Sequence, residues 1–126
     1  MPETLDWDPI RALARRVLRE GAPLALTDEV RALLVRSARE VAISDAVASH
    51  ALSSEDEALD LLREISRRIR DGSARISDAL NRMYQHKEAG DFDSARQEMR
   101  EVLAVEVVPL YRDIAEGQLE DLADEP

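Results

Sequence analysis

Apolar positions recur three and four residues apart along most of this chain, the spacing that places side chains on one helix face. Asp8-Pro9 opens the first such stretch. Asp accepts from an orphan backbone N–H, and Pro suits a first turn that needs no donor. Ile10, Leu13, Ala14, Val17 and Leu18 form its stripe. Gly21 suits the left-handed position that closes a helix, and Pro23 blocks continuation. Thr27 caps a second helix, with Asp28 and Glu29 at the positive end of its dipole. Its stripe is Val30, Leu33, Leu34, Ala38, Val41 and Ala42, with Arg31, Arg36, Arg39 and Glu40 opposite. Ser44 caps a short third helix holding Ala46, Val47, Ala51 and Leu52.

Ser54 and Glu57 then fit a capping box. Beyond them Ala58, Leu62, Ile65, Ile69, Gly72, Ile76, Ala79 and Met83 alternate steps of four and three, without a slip at Asp71-Gly72-Ser73. Either the helix breaks at Gly72 and restarts at Ser73, or one helix of about 34 residues, roughly 50 Å long, runs from about 55 to 88. A mid-helix Gly costs about 1 kcal/mol, and the kept phase argues for a return, so the continuous helix is favoured. Gly90 ends it and Asp91 caps the next. The last stripe is Phe92, Ala95, Met99, Val102, Leu103, Val107, Leu110 and Ile114. Pro109 removes the bond to the Val105 carbonyl, but phase persists past it, which predicts a Pro109-kinked helix over about 92–118. No stretch alternates with period two. The expectation is all-α: a single-domain antiparallel helical bundle of five to six helices over residues 1–120, then an acidic flexible tail, 121–126.

Composition narrows the chemistry. The chain has 126 residues, no Cys, four Gly and 3% aromatics. That excludes a disulfide framework, a thiolate metal site and a Cys nucleophile, and disfavours sheet. Acids outnumber bases 27 to 17, for a net charge of −10. Eleven acids and three bases fall in residues 91–126, so most of the excess sits there. Such a surface repels phosphate, so no nucleic acid is expected as partner. No uncharged apolar stretch approaches the about 20 residues of a membrane span. Met-Pro-Glu-Thr-Leu-Asp-Trp-Asp has no apolar core, so no signal peptide is read and the expected location is cytoplasmic.

The search for a site finds little. Gly21, Gly72, Gly90 and Gly117 are too scattered for a phosphate cradle or a nucleophile elbow. His50 and His86 lack acidic residues at ligand spacing: Val47 and Met83 stand where a Glu-x-x-His pair wants Glu. No metal and no cofactor are expected. Both histidines suit helix C-termini. Glu98 and Glu101 share a helix face, with Arg96 and Arg100 as expected ion partners. Arg63, Arg67, Arg68 and Arg70 form a basic run that Asp60 and Glu64 neutralise at helical spacing, with no aromatic interleaved for base stacking. Ile43 to Val47 suits the opening of a recognition helix, but Asp45 would meet phosphate. Any carboxylate doing acid–base work would need burial that a sequence does not display.

Ala89 to Leu103 resembles the second helix of a tetratricopeptide hairpin, through Gly90, Phe92, Ala95, Met99 and Leu103. Stepping back one repeat, about 34 residues, finds Asp56 and no matching glycine or aromatic, so the likeness is local. The whole chain, roughly residues 5 to 120, resembles the DUSAM domain family of small myxobacterial proteins. Trp7-Asp-Pro-Ile-Arg11, Leu26 to Leu34, Ser37 to Ser44, Gly90 to Arg96, Val102 to Tyr111 and Ala115 to Leu119 carry that likeness. The family is uncharacterised. The resemblance implies a bacterial protein, in keeping with 16 Arg against one Lys, and supplies no catalytic residues.

The expected function is a non-enzymatic helical protein–protein interaction module, an adaptor or regulator. The alternatives are an acidic inhibitor or nucleic-acid mimic that binds a basic protein, and an enzyme without a recognisable motif. Candidate partner-binding residues are Trp7, Tyr111, Glu116, Glu120 and Asp121. Trp7 also suits a staple packed on the first helix, and Tyr84 and Tyr111 suit core rings with the hydroxyl at the rim. The heptad phase serves a homodimer seam as well as an intramolecular bundle.

Overall fold

Capping side chains set four of the helix starts. Thr27 Oγ1 accepts from the Val30 N–H at 3.2 Å and starts α2 (Asp28–Glu40). Ser44 Oγ accepts from Val47 at 3.2 Å and starts α3 (Asp45–Ala51). Ser54 Oγ accepts from Glu57 at 3.1 Å at the head of α4 (Glu55–Glu88). Asp91 Oδ1 accepts from Ser94 at 3.1 Å before α5 (Phe92–Val105). Each satisfies an orphan donor, as the sequence predicts. The first helix differs. α1 (Asp8–Ala14) has Trp7 at its N-cap with no side-chain cap bond, so Asp8 is helical rather than capping. It runs into a π-helical turn, Arg15–Arg19, and α6 spans Pro109–Leu122. The computed structural model describes residues 5–125, and these elements are helices throughout. Met1 to Thr4, which entered the reading of the N-terminus, and Pro126 lie outside the described residues.

The fold divides into two compact units, up to Arg68 and from Ile69 on. The boundary falls inside α4, which is unbroken through Gly72. All eight positions of its heptad phase are buried.

The first unit holds α1, α2, α3 and the opening turns of α4. Trp7 is only 5% exposed, and its indole Nε1 donates to Glu40 Oε1 at 3.2 Å. Arg11 lies 5.9 Å from the ring centroid. Ile10, Leu13, Leu34, Ala38, Leu62 and Ile65 fill the interior. α2 stops where the Ile43 N–H reaches the Ala38 carbonyl at 2.8 Å and Ala42 reaches Arg39 at 3.1 Å. This double bond pattern needs a left-handed residue, and Ala42 supplies it at φ +67°. Ala42 is therefore outside the helix and exposed, not the last position of its stripe. Arg68 Nη1 donates to the carbonyls of Val41 (2.9 Å) and Ala42 (3.3 Å), tying the turn to α4.

The second unit holds the rest of α4 with α5 and α6. Here the expected kinked helix proves to be two helices. Glu106 to Val108 separate α5 and α6, and Pro109 takes the first turn of α6, where its missing donor is harmless. The Glu106 side chain explains the break. Its Oε2 accepts from the Val107 and Val108 N–H groups at 3.1 and 3.0 Å, and its Oε1 pairs with Arg75 Nη1 at 2.7 Å. Glu106 is 3% exposed, so these bonds offset an otherwise costly buried charge. Beside it, the Tyr111 hydroxyl donates to the Ile69 carbonyl at 2.9 Å. A Cβ on Gly72 would lie 2.6 Å from Tyr111 Cε2 and 3.0 Å from Glu106 Oε1. The ring thus occupies the space that a side chain at position 72 would need.

Residues 121–125 are not wholly a free tail. Leu122 ends α6 fully buried. Arg96 donates to its carbonyl from Nε (3.1 Å) and Nη2 (2.9 Å), and from Nη2 to the Glu125 carbonyl (2.6 Å).

Candidate functional site

α3 is too short to bury a stripe on both sides. Ala48 and, just past its end, Leu52 face inward. Ala46 and Val47, assigned by periodicity to the buried stripe, are exposed instead. Val47 is 57% exposed. It does not stand alone. It borders a groove of about 630 Å³ in the first unit, with Ala42, Ile43, Ala51 and Leu61 along its apolar lining. The groove has the volume of a ligand or side-chain cleft.

Its polar edge comes from α4. Glu57, Asp60 and Glu64 line the groove three and four residues apart, with His50 and Arg68 at its margins. Glu64 accepts from Arg67 at 2.6 Å and Arg68 at 2.7 Å. The Arg67 bond, with Arg68 adding to it against the cost of partial burial, lowers the Glu64 carboxyl to about 2. Asp60 pairs with Arg63 at 3.1 Å. Glu57 accepts from the Ser53 hydroxyl at 3.3 Å and lies 3.7 Å from His50 Nε2. The neutralising pairs read from the sequence are formed, and Arg63 and Arg67 are an ordinary ion-paired face. At the other end of α3, the Arg39 guanidinium holds Asp45 below the usual carboxylate range through bonds of 3.2 and 2.9 Å. A smaller hollow of about 360 Å³ lies between Val17, Leu18, Pro23 and the start of α4 at Glu55, Asp56 and Leu59.

Of the residues singled out from sequence, Trp7 falls in the first unit and Tyr111, Glu116, Glu120 and Asp121 in the second. Trp7 and Tyr111 are both 5% exposed, their polar atoms bonded within their own units, so their rings are core. Glu116, Glu120 and Asp121 are exposed on α6. Tyr84, expected in the core, is exposed beside Lys87. His50 and His86 do occupy last turns, of α3 and α4. Glu98 pairs with Arg82 at 2.7 Å and sits 3.5 Å from His86, rather than pairing with Arg96 or Arg100. Glu101 meets Gln97 at 3.4 Å. Among the described residues no three His, Cys, Asp or Glu are placed to hold a metal ion, and no helix is long and apolar enough to cross a membrane. The carboxyls with a resolved shift, Asp45, Glu64 and Asp91, all move downward. That stabilises the charged form and is the opposite of what a general acid needs.

Periodicity missed the groove because it put Val47 inside. The available signal was the length of α3: Ser44 and the turn at Ser53-Ser54 leave only two helical turns, enough for one inward position and one at the end.

Residues 5–122 match the family model described as Protein of unknown function (DUF2379). The match spans both units, and the chain belongs to this uncharacterised family. Searches of curated proteins and of solved structures returned no match.

Proposed function

We propose that this family member is a non-enzymatic docking module, an adaptor or regulator that binds another protein through a helical surface. The observation that carries the reading is Val47, exposed over an apolar groove instead of buried in it. Single exposed apolar residues are ordinary on protein surfaces, whereas one set in an apolar cleft with a polar edge has the anatomy of an interface. A bacterial, cytoplasmic setting and the DUSAM resemblance belong to the same reading, and a homodimer remains one of its forms.

The second reading, an acidic inhibitor of a basic protein, draws on a different place: Glu116, Glu120 and Asp121 on the exposed side of α6. Affinity capture of the tagged chain from its native cells separates the two. Nuclease-treated extract is run at low and moderate salt and read by mass spectrometry. A stoichiometric partner retained at both salts and rebinding in pure form supports docking. A basic partner lost at moderate salt supports the inhibitor. Absence of any partner at either salt overturns both.

A further inference from the structure

We infer that the α3–α4 groove takes an amphipathic helix with a basic edge, presented by a different protein. This rests on the docking reading and names its occupant. The apolar half of the argument is Val47 with Ala42 and Ala51 at the surface, over a floor of the largely buried Ile43 and Leu61, a lining that an i, i+3, i+4, i+7 stripe covers. The polar half is the row Glu57, Asp60 and Glu64. At 1.5 Å per residue the row runs about 10 Å along α4, two turns of an opposing helix. A partner with Arg or Lys three residues apart along one side of its apolar stripe would meet Glu57 and Asp60, while Glu64 is already held by Arg67 and Arg68. Glu57 has only a hydroxyl and an imidazole beside it, and the Asp60 side chain is 75% exposed, so both have room for a further cation.

The chain's own basic helices do not fit this description. α1 with its π turn carries Arg11, Arg15, Arg16 and Arg19 on the outside, but buries Ile10 and Leu13. α4 carries Arg63, Arg67 and Arg70, but buries Leu62, Ile65 and Ile69. A second copy would have to unfold to offer either stripe. The complementary helix therefore belongs to another chain.

The test titrates the 126-residue chain into three fluorescent stapled peptides of about 15 residues, read by anisotropy. One has a Leu stripe with an Arg edge, one the same stripe with a Glu edge, and one the first composition scrambled. The Arg-edged peptide is expected to saturate, with the other two at least about tenfold weaker. Val47→Asp, at an exposed position that leaves the helical circular dichroism unchanged, is expected to weaken it at least about tenfold. Glu57→Gln with Asp60→Asn is expected to weaken it about three- to tenfold and to flatten its salt dependence.

Equal binding of the Glu-edged or scrambled peptide overturns the proposal, as does indifference to Val47→Asp. A dimer in light scattering that Val47→Asp dissolves also overturns it, in favour of a second copy. If these peptides fail while the captured partner cross-links to α6, the groove assignment falls and the docking reading stands. If no partner exists at all, the docking reading itself falls.

Discussion

The two units use similar helices to opposite ends. In the second, the polar group that interrupts the helical run is turned inward and fully employed. Glu106 holds Arg75 and two backbone N–H groups, Tyr111 reaches the Ile69 carbonyl, and Gly72 gives the ring its space. In the first, Trp7 and Arg68 perform the comparable long-range ties, to Glu40 and to the α2–α3 turn. Yet the same turn leaves Ala42 and Val47 at the edge of an open apolar groove. The second unit also leaves apolar side chains outside, Val105 and Val107 on either side of Glu106; what marks Val47 is the groove that it lines.

The sharpest break of this comparison is to remove an internal tie. Trp7→Ala is expected to cost the first unit about 3–5 kcal/mol, mostly as lost burial and cavity, in urea unfolding followed by hydrogen exchange. Protection in the second unit should fall less. Glu106→Ala strikes the other side. It leaves the Val108 N–H buried without its acceptor and Arg75 without its partner, at about 2–4 kcal/mol. Glu106→Gln keeps the backbone acceptor and should cost less than half as much by the same measurement.

Gly72→Ala follows. Helix propensity alone would make it stabilising by about 1 kcal/mol. The Tyr111 ring makes it destabilising by about 1–3 kcal/mol instead. The double variant with Tyr111→Leu should recover part of that loss, measured as a coupling between the two sites. A stabilised single variant would contradict the close approach.

Two smaller effects sharpen the first unit. The Glu64 carboxyl is lowered to about 2 by the Arg67 and Arg68 bonds. A depressed carboxylate contributes stability above its unfolded value, near 4.3, and that contribution is lost as pH falls toward 2. Melting curves between pH 5 and 2 should show Glu64→Gln losing on the order of 1 kcal/mol less than the parent, after allowance for solvent screening of this partly exposed pair. Finally, Ala42→Gly relieves a left-handed alanine and should stabilise by up to about 1 kcal/mol in thermal melts.

Much of this was legible beforehand, for local reasons. Thr27, Ser44, Ser54 and Asp91 cap because a short polar side chain before an apolar stripe has a donor within reach. The phase from Ala58 to Met83 held because one helix face must stay buried along its whole length. What escaped was non-local or lay at ends. Periodicity continued through Pro109 because apolar residues resume on the far side, but it contains no sign that Glu106 would turn inward toward Arg75. Ala42 reads as a helix former, and its left-handed role comes from the Ile43 bond to Ala38. Trp7 and Tyr111 suit both anchor and core in the sequence, because large rings serve interfaces and cores alike, and only their distant partners decide between them.

The most direct test of docking is a ¹⁵N NMR titration of the full chain with the Arg-edged peptide, or with the captured partner's helix. The account predicts saturable shifts confined to Ala42–Ala51 and Glu57–Arg68, abolished by Val47→Asp. Shifts centred instead on Glu116, Glu120 and Asp121, fading with salt and indifferent to Val47→Asp, would contradict it and favour the acidic inhibitor.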